Sequence, residues 1–398
     1  MAESHYSIPD FISDRGPAEY FHGRAKILAN FNALAKTAVE EKGGSTFLIQ
    51  GAPGAGKTAL LDQCAELASN KGWHVAKIKT GALWDKEKML RSLGLGKMVG
   101  VDSVSLSFVE IFQTAISFSE PARSTSSLNV VEKRKRKPLL LLLDEAQRLS
   151  KAGGLSQIQF DEAGDLLEAI HNGELNKPVI LLVAGLGRTK TAFGSLGVSR
   201  FKGGCFVELG ALGKESERAV IRDWLIKGGG AKGDPNTWIN AIAQKTQGWP
   251  QHITAYGDAA SKQIQKDRGD MTPAGLDVVY RLGMERREAY YNQRAEEISR
   301  KERRSLARLI TNVSIRDGLD KEDIEAALSQ EYGPEKAQDL FTRGLDRGIL
   351  HSQDGVYTVP IPSMHNWLVS NYGREGISFP KAPQTSPALH EQNSGRER

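Results

Sequence analysis

Apolar runs and helical stripes alternate along the first half of the chain. Thr46–Gln50 is a β-branched and apolar run, and Leu60, Leu61, Cys64, Leu67 and Ala68 then fall on one face of a helix. His74–Thr80 reads as a second strand. Leu139–Leu143 is all leucine, the pattern of a strand buried on both faces of a parallel sheet. Val179–Ala184 follows after a helix around Asp161–His171, and Cys205–Leu209 is a fifth strand. This alternation predicts an α/β fold, a parallel sheet with flanking helices on both faces.

The second half has a different period. From Glu215–Ile226 to about Gly283 the pattern is helical, with loop signals at Gly228-Gly229-Gly230 and Gly233-Asp234-Pro235. Leu306, Leu309, Ile310 and Val313 form an i, i+3, i+4, i+7 stripe. Asp320 is expected to cap a second helix through Leu328, and Pro334 to open a third through Leu345. Gly348–Ser352 and Val356–Val359 flank the turn Gln353-Asp354-Gly355, a hairpin signal. Three helices followed by a hairpin is the winged-helix order.

Composition narrows the class. With 398 residues, 39% hydrophobic and 25% charged, the chain reads as a globular protein of several units. Cys64 and Cys205 stand far apart without a CxxC, so neither a disulfide framework nor a zinc site is indicated, which fits a cytoplasmic protein. No basic-then-apolar leader opens the sequence and no apolar run approaches the ~20 residues that span a bilayer, so no membrane partner is expected. A net charge of +5 permits nucleic-acid binding without requiring it.

The chemistry concentrates after the first strand. Gly51-Ala52-Pro53-Gly54-Ala55-Gly56-Lys57-Thr58 is a G-x-x-x-x-G-K-[ST] loop between strand and helix, the context that the P-loop motif requires. Its glycines let backbone N–H groups curl around phosphates at a helix N-terminus. Lys57 is expected to reach the outer phosphates of ATP and Thr58 to bind Mg2+. The leucine strand ends in Asp144-Glu145-Ala146-Gln147. Asp144 is placed to hold the magnesium through water, and Glu145 to polarise an attacking water. Gly185-Leu186-Gly187 lacks the full dinucleotide fingerprint and reads as a turn after a strand.

These residues resemble the AAA+ ATPases, in the branch of origin-recognition initiators, transposition ATPases and ExeA-like ATPases, over roughly Phe21 to Asn371. Phe21-His22-Gly23-Arg24 looks like the family's F-x-G-R box beside the adenine, which implicates Gly23 and Arg24. Asp144-Glu145-Ala146-Gln147 is typical of the transposition and ExeA-like members. Thr246-Gln247-Gly248-Trp249-Pro250-Gln251-His252 resembles the G-x-P segment of the helical lid, which implies that Pro250 meets the nucleotide. Ala52, Pro53, Ala55 and Ala59 complete the expected binding loop. STAND signalling ATPases share several of these features.

The resemblance implies five segments: an N-terminal tail 1–15, an ATPase core 16–210, a lid 211–285, a winged helix 286–372 and a tail 373–398. It also implies a homo-oligomer, because Arg200 stands where the family keeps its arginine finger, a role for which Arg188 competes. Two departures bear on rate. The fourth strand ends in Val183-Ala184-Gly185 rather than a polar sensor, and Gln251 and His252 stand where initiators often place an arginine. ATP is therefore expected to act more as a conformational clamp than as fuel. DNA contact is expected through Lys133-Arg134-Lys135-Arg136-Lys137, the basic 286–316 helix or the winged helix. The competing expectation is a STAND-like switch that recruits a protein effector and touches no nucleic acid.

Overall fold

The computed structural model describes residues 20–85, 88–89, 137–151, 156–175, 177–201, 203–230, 232–311, 318–353 and 355–373. The expected N-terminal tail, all of the expected C-terminal tail but Gly373, four of the five residues of the Lys133–Lys137 cluster, Val313 and Asp354 lie outside them.

Five parallel strands form the central sheet. These are β1 (Gly44–Gly51), β2 (His74–Ile78), β3 (Leu139–Leu143), β4 (Val179–Gly185) and β5 (Phe206–Leu209), in the order β2-β3-β4-β1-β5. The leucine run explains itself here. Leu140 and Leu142 pack with Leu60 and Leu61 of α2 (Lys57–Asn70), on the face shared with α1 (Ala25–Glu41). Leu139, Leu141 and Leu143 face the other way, toward Leu166 and Leu167 of α3 (Gln157–Asn172) and Phe193 of α4 (Thr189–Gly194). A strand covered by helices on both sides has no polar face to present.

Register positions the chemistry. Gln50 of β1 lies beside Gly185 of β4, and Leu143 of β3 beside Val183 of β4. The carboxyl ends of β1, β3 and β4 therefore align along one sheet edge, where open α/β sheets bind ligands.

A helical unit follows: α5 (Lys214–Lys227), α6 (Pro235–Thr246), α7 (Pro250–Lys266) and α8 (Pro273–Arg294). Trp224, Trp238 and Tyr256 anchor its core. Pro at the first turn with Asp234 or Thr272 as N-cap sets the starts of α6 and α8. The last unit comprises α9 (Arg300–Thr311), α10 (Lys321–Tyr332), α11 (Pro334–Asp346), the antiparallel pair β6 (His351–Gln353) and β7 (Val356–Thr358), and α12 (Pro362–Tyr372). Its apolar residues, among them Leu306, Leu340 and Trp367, belong to the same continuous cluster as the α1/α2 face of the sheet. This unit is thus packed onto the core rather than tethered beside it.

Two local expectations differ from the structure. The basic stretch after Glu285 is not one helix: α8 ends at Arg294 and α9 starts at Arg300. Ser299 and Glu302 cap each other reciprocally, and Arg303 donates to the carbonyls of Ile298 and Ala295, the latter also accepting from the Ile298 N–H. The Ser-x-x-Glu signature of that capping box is present in the sequence. Asp320 does stand at the N-cap of α10, but its side chain makes no capping hydrogen bond.

Candidate functional site

Sterics select the glycines of the loop between β1 and α2. A Cβ on Gly51 would lie 2.8 Å from the Leu209 carbonyl oxygen. Gly54 and Gly56 have φ of 76° and 90°, a region that side chains avoid. The Lys57 ammonium donates to the Gly51 and Ala52 carbonyls at 2.9 Å each, so the charge sits within the loop's curl. Next to it, Thr58 Oγ1 donates to Asp144 Oδ2 at 2.8 Å. A P-loop hydroxyl and a strand-end carboxylate are thereby joined as neighbouring oxygen donors, the hard oxygen chemistry that suits Mg2+.

Glu145 is held in an unusual backbone state, with φ 57°. Such strain persists only where surroundings enforce it. Part of the enforcement is Gln147, whose amide nitrogen donates to Glu145 Oε2 at 2.7 Å. The same amide's oxygen accepts from the Leu186 N–H at 3.0 Å. Gly185 makes room for this bridge: a Cβ there would lie 2.0 Å from Thr189 Oγ1 and 2.9 Å from Gln147 Oε1. The end of β4 lacks a polar side chain because the polar group arrives from Gln147. Thr189 is fully buried and donates to the Leu186 carbonyl at 2.7 Å.

One helical turn beyond Thr58, Asp62 is buried with 3% exposure. Burial raises its pKa to about 6, with Asp144 adding to the rise and Lys77 opposing it.

A cleft of about 1170 Å³ opens over the loop. It brings together Pro53, Gly54, Gly56, Lys57, Thr58, Ala59, Glu145 and Pro250 from the sequence-predicted set. The start of α7 seals one side, where the Gln251 N–H donates to the Gly54 carbonyl at 3.2 Å. Ala52 and Ala55 are buried within the loop. Gly23 and Arg24 stand at the junction of α1 with α5. A Cβ on Gly23 would meet Ser216 Oγ at 2.7 Å, and Arg24 donates to the Gly210 carbonyl at 2.5 Å. His22 beside them contacts Asp223 at 2.6 Å. Arg200 is exposed and lies outside the cleft lining.

Sequence reasoning did not place Asp62, Arg294 or Arg347 at the loop, though all three line the cleft, nor did it find the bridging role of Gln147. Asp62 was open to such reasoning, being four residues after Thr58 and so on the same helical face. Arg294 and Arg347 carried no local signal, because folding alone brings α8 and the end of α11 to the loop.

The five-stranded parallel sheet and the glycine-rich loop after β1 define a P-loop α/β architecture. No protein-family profile and no curated protein matches the chain. Among solved structures, it is similar to a Walker-type ATPase of Pyrococcus abyssi, with a TM-score of 0.52 and 12% identity over 87% of this chain and 96% of that one. It is similar also to the ORC2 protein of Aeropyrum pernix in its ADP form, at 0.52 and 14% over 87% and 93%. The ADPNP–ADP complexes of that protein align at 0.50 and 14%, over 92% and 96%. The shared fold is that of the origin-recognition-like Walker ATPases.

Proposed function

We propose that the chain binds ATP with Mg2+ and hydrolyses it slowly, and that this nucleotide cycle controls an oligomeric assembly on DNA or on a DNA-bound partner. The observation that carries the reading is the Thr58–Asp144 hydrogen bond beside Lys57, in a cleft that also holds Glu145. In this reading, Gly51–Thr58 and Ala59 hold the phosphates. Thr58 and Asp144 hold the metal, and Gly23, Arg24 and Pro250 flank the base and sugar. The metal-bound triphosphate supplies a polarised γ-phosphoryl group. Glu145, oriented by Gln147, orients the attacking water and takes its proton. The ORC2 protein, a structural neighbour, has been crystallised with ADP and ADPNP, which agrees with nucleotide binding here.

Arg200 is the trans-acting cation of this proposal. It is exposed at the end of a loop before β5, and no ion pair holds it among the described residues. Arg188, the competing candidate, is 3.7 Å from Asp346 within its own chain. The C-terminal unit then serves as a winged helix, with DNA or a protein partner as its target.

Particle imaging with ATP, with and without duplex DNA, tests the reading. Rings or filaments that form with ATP, dissolve in Arg200→Ala and shift DNA in a salt-sensitive way support it. Monomers in every nucleotide state, with no DNA shift, count against it.

A second reading has its own observation. The basic residues of α9 and α11 are largely spent internally: Arg303 on carbonyls and Tyr372, Arg308 and Lys301 on Glu331, Arg343 on Glu302 and Asp339. That favours a STAND-like switch whose C-terminal unit recruits a protein effector. Effector capture that survives nuclease treatment selects it.

A further inference from the structure

Asp62 stands one turn after Thr58 on α2, so the two side chains leave the helix on the same face, about 6 Å apart. It is 3% exposed and belongs to the cleft lining, beside Thr58 and Glu145. Among the described residues no donor forms a hydrogen bond with its carboxylate. Burial lifts the carboxyl to about 6 against the pull of Lys77, an exposed residue of β2, and with the repulsion of Asp144 added. The Asp144 charge is therefore felt at Asp62, and Asp144 is the carboxylate that accepts from Thr58. Lys57, the cation of the loop, donates to the Gly51 and Ala52 carbonyls. A carboxylate buried without hydrogen bonds is costly unless a cation comes to it. Asp62 thus points into the cleft as an acceptor whose partner the chain does not supply.

The Mg2+ of the nucleotide reading above, on which this inference rests, is a cation of the right chemistry. Among the described residues no three acidic, histidine or cysteine side chains come together as a direct metal cage. Mg2+ also dehydrates reluctantly and keeps several of its waters, which need acceptors around them. We infer that Asp62 accepts hydrogen bonds from the water that Mg2+ retains beside Thr58 and Asp144, and so makes nucleotide binding conditional on the metal. With Mg2+ present, the Asp62 charge is neutralised and steadies the hydrated ion. Without it, the same charge stands beside the polyphosphate and repels it. Asp62 is a positioning residue whose effect changes sign with the metal.

The test is titration of the full chain with ADP, which avoids turnover, for wild type, Asp62→Asn and Lys57→Ala, in Mg2+ and in EDTA. Asp62→Asn keeps the shape of the side chain and removes its charge. In Mg2+ it is expected to bind ADP about tenfold more weakly than wild type. In EDTA it is expected to bind ADP at least as tightly as wild type. That opposite pair separates positioning from simple damage, which weakens binding in both conditions. Mn2+, followed by its paramagnetic signal in the presence of ADP, reads the metal directly, and its affinity should fall about tenfold in the variant. Unchanged metal affinity, or equal losses of ADP binding with and without Mg2+, overturns the inference. Wild-type protein that binds no ADP in either condition overturns the nucleotide reading and this one with it. Binding that falls in Lys57→Ala but ignores Asp62→Asn overturns this one alone. Asp62→Ala, which leaves space for water in place of the carboxylate, carries the same expectations where the Asn variant does not fold.

Discussion

At the residue scale, Gln147 shows how a small polar bridge stands in for a missing one. Its amide touches both the Glu145 carboxylate and the Leu186 N–H, at 2.7 and 3.0 Å. Gln147→Leu removes both bonds and leaves a buried backbone N–H unsatisfied, a cost of about 1–3 kcal/mol. Hydrolysis is expected to slow about tenfold, because Glu145 loses the group that aims it, while ATP affinity stays within about threefold. Steady-state hydrolysis alongside titration checks this, and an unchanged kcat refutes the orienting role. Glu145→Gln is expected to go further, slowing turnover about 10²- to 10⁴-fold with nucleotide binding retained. Single-turnover measurements with ATP in hand separate that chemical step from product release.

At the scale of elements, helix α7 carries a buried titratable group with a predictable signature. His252 is fully buried, with Nε2 3.0 Å from the Tyr291 hydroxyl of α8, which also contacts Ser363 of α12 at 2.7 Å. Burial, reinforced by the Arg287 cation, lowers the His252 pKa from 6.5 to about 3. The unfolded chain therefore binds the proton more readily than the folded one. Stability is full above about pH 6.5 and falls as pH drops toward 3, by at most ~1.4 kcal/mol per unit. Denaturant titrations between pH 7 and 5 should show this slope, and His252→Leu should flatten it. An identical slope in the variant rejects the assignment. Elements like α7 were legible in the sequence because local signals define them: Trp249-Pro250 starts it, as Asp234-Pro235 starts α6. Strands β1, β3, β4 and β5 and the P-loop were legible for the same reason, as apolar runs that end in or run into glycine or acid, whereas β2 carries His74 and Lys77 and runs into Lys79. The break between α8 and α9 was masked by continuous charge, and the contacts of Gln147 join residues that no local pattern links.

At the scale of the whole molecule, one segment clamps the C-terminal unit onto the α/β core. Asp346 lies 3.7 Å from Arg188, and His351 Nε2 lies 2.5 Å from Glu208 Oε1 at the end of β5. Between them, Gly348 presses on the phosphate loop itself. It has φ 67°, and a Cβ there would lie 2.1 Å from Pro53 Cγ. The P-loop is thus flanked by the lid on one side and the C-terminal unit on another, so a shift of Pro53 on nucleotide binding is felt directly at the end of α11. Gly348→Ala combines a left-handed backbone penalty with this overlap, together about 2–4 kcal/mol. Gly355→Ala is the matched control: its φ is 87°, but nothing lies within 4 Å of the added carbon. It is expected to lose only the backbone penalty, about 1–2 kcal/mol. Gly348→Ala should therefore melt lower than Gly355→Ala and bind ATP more weakly, because relieving the overlap displaces Pro53. Thermal melts and ATP titrations on the two variants measure the difference. If both lose the same stability and keep wild-type affinity, the contact between Gly348 and Pro53 carries no energy, and the C-terminal unit does not sense the loop through it.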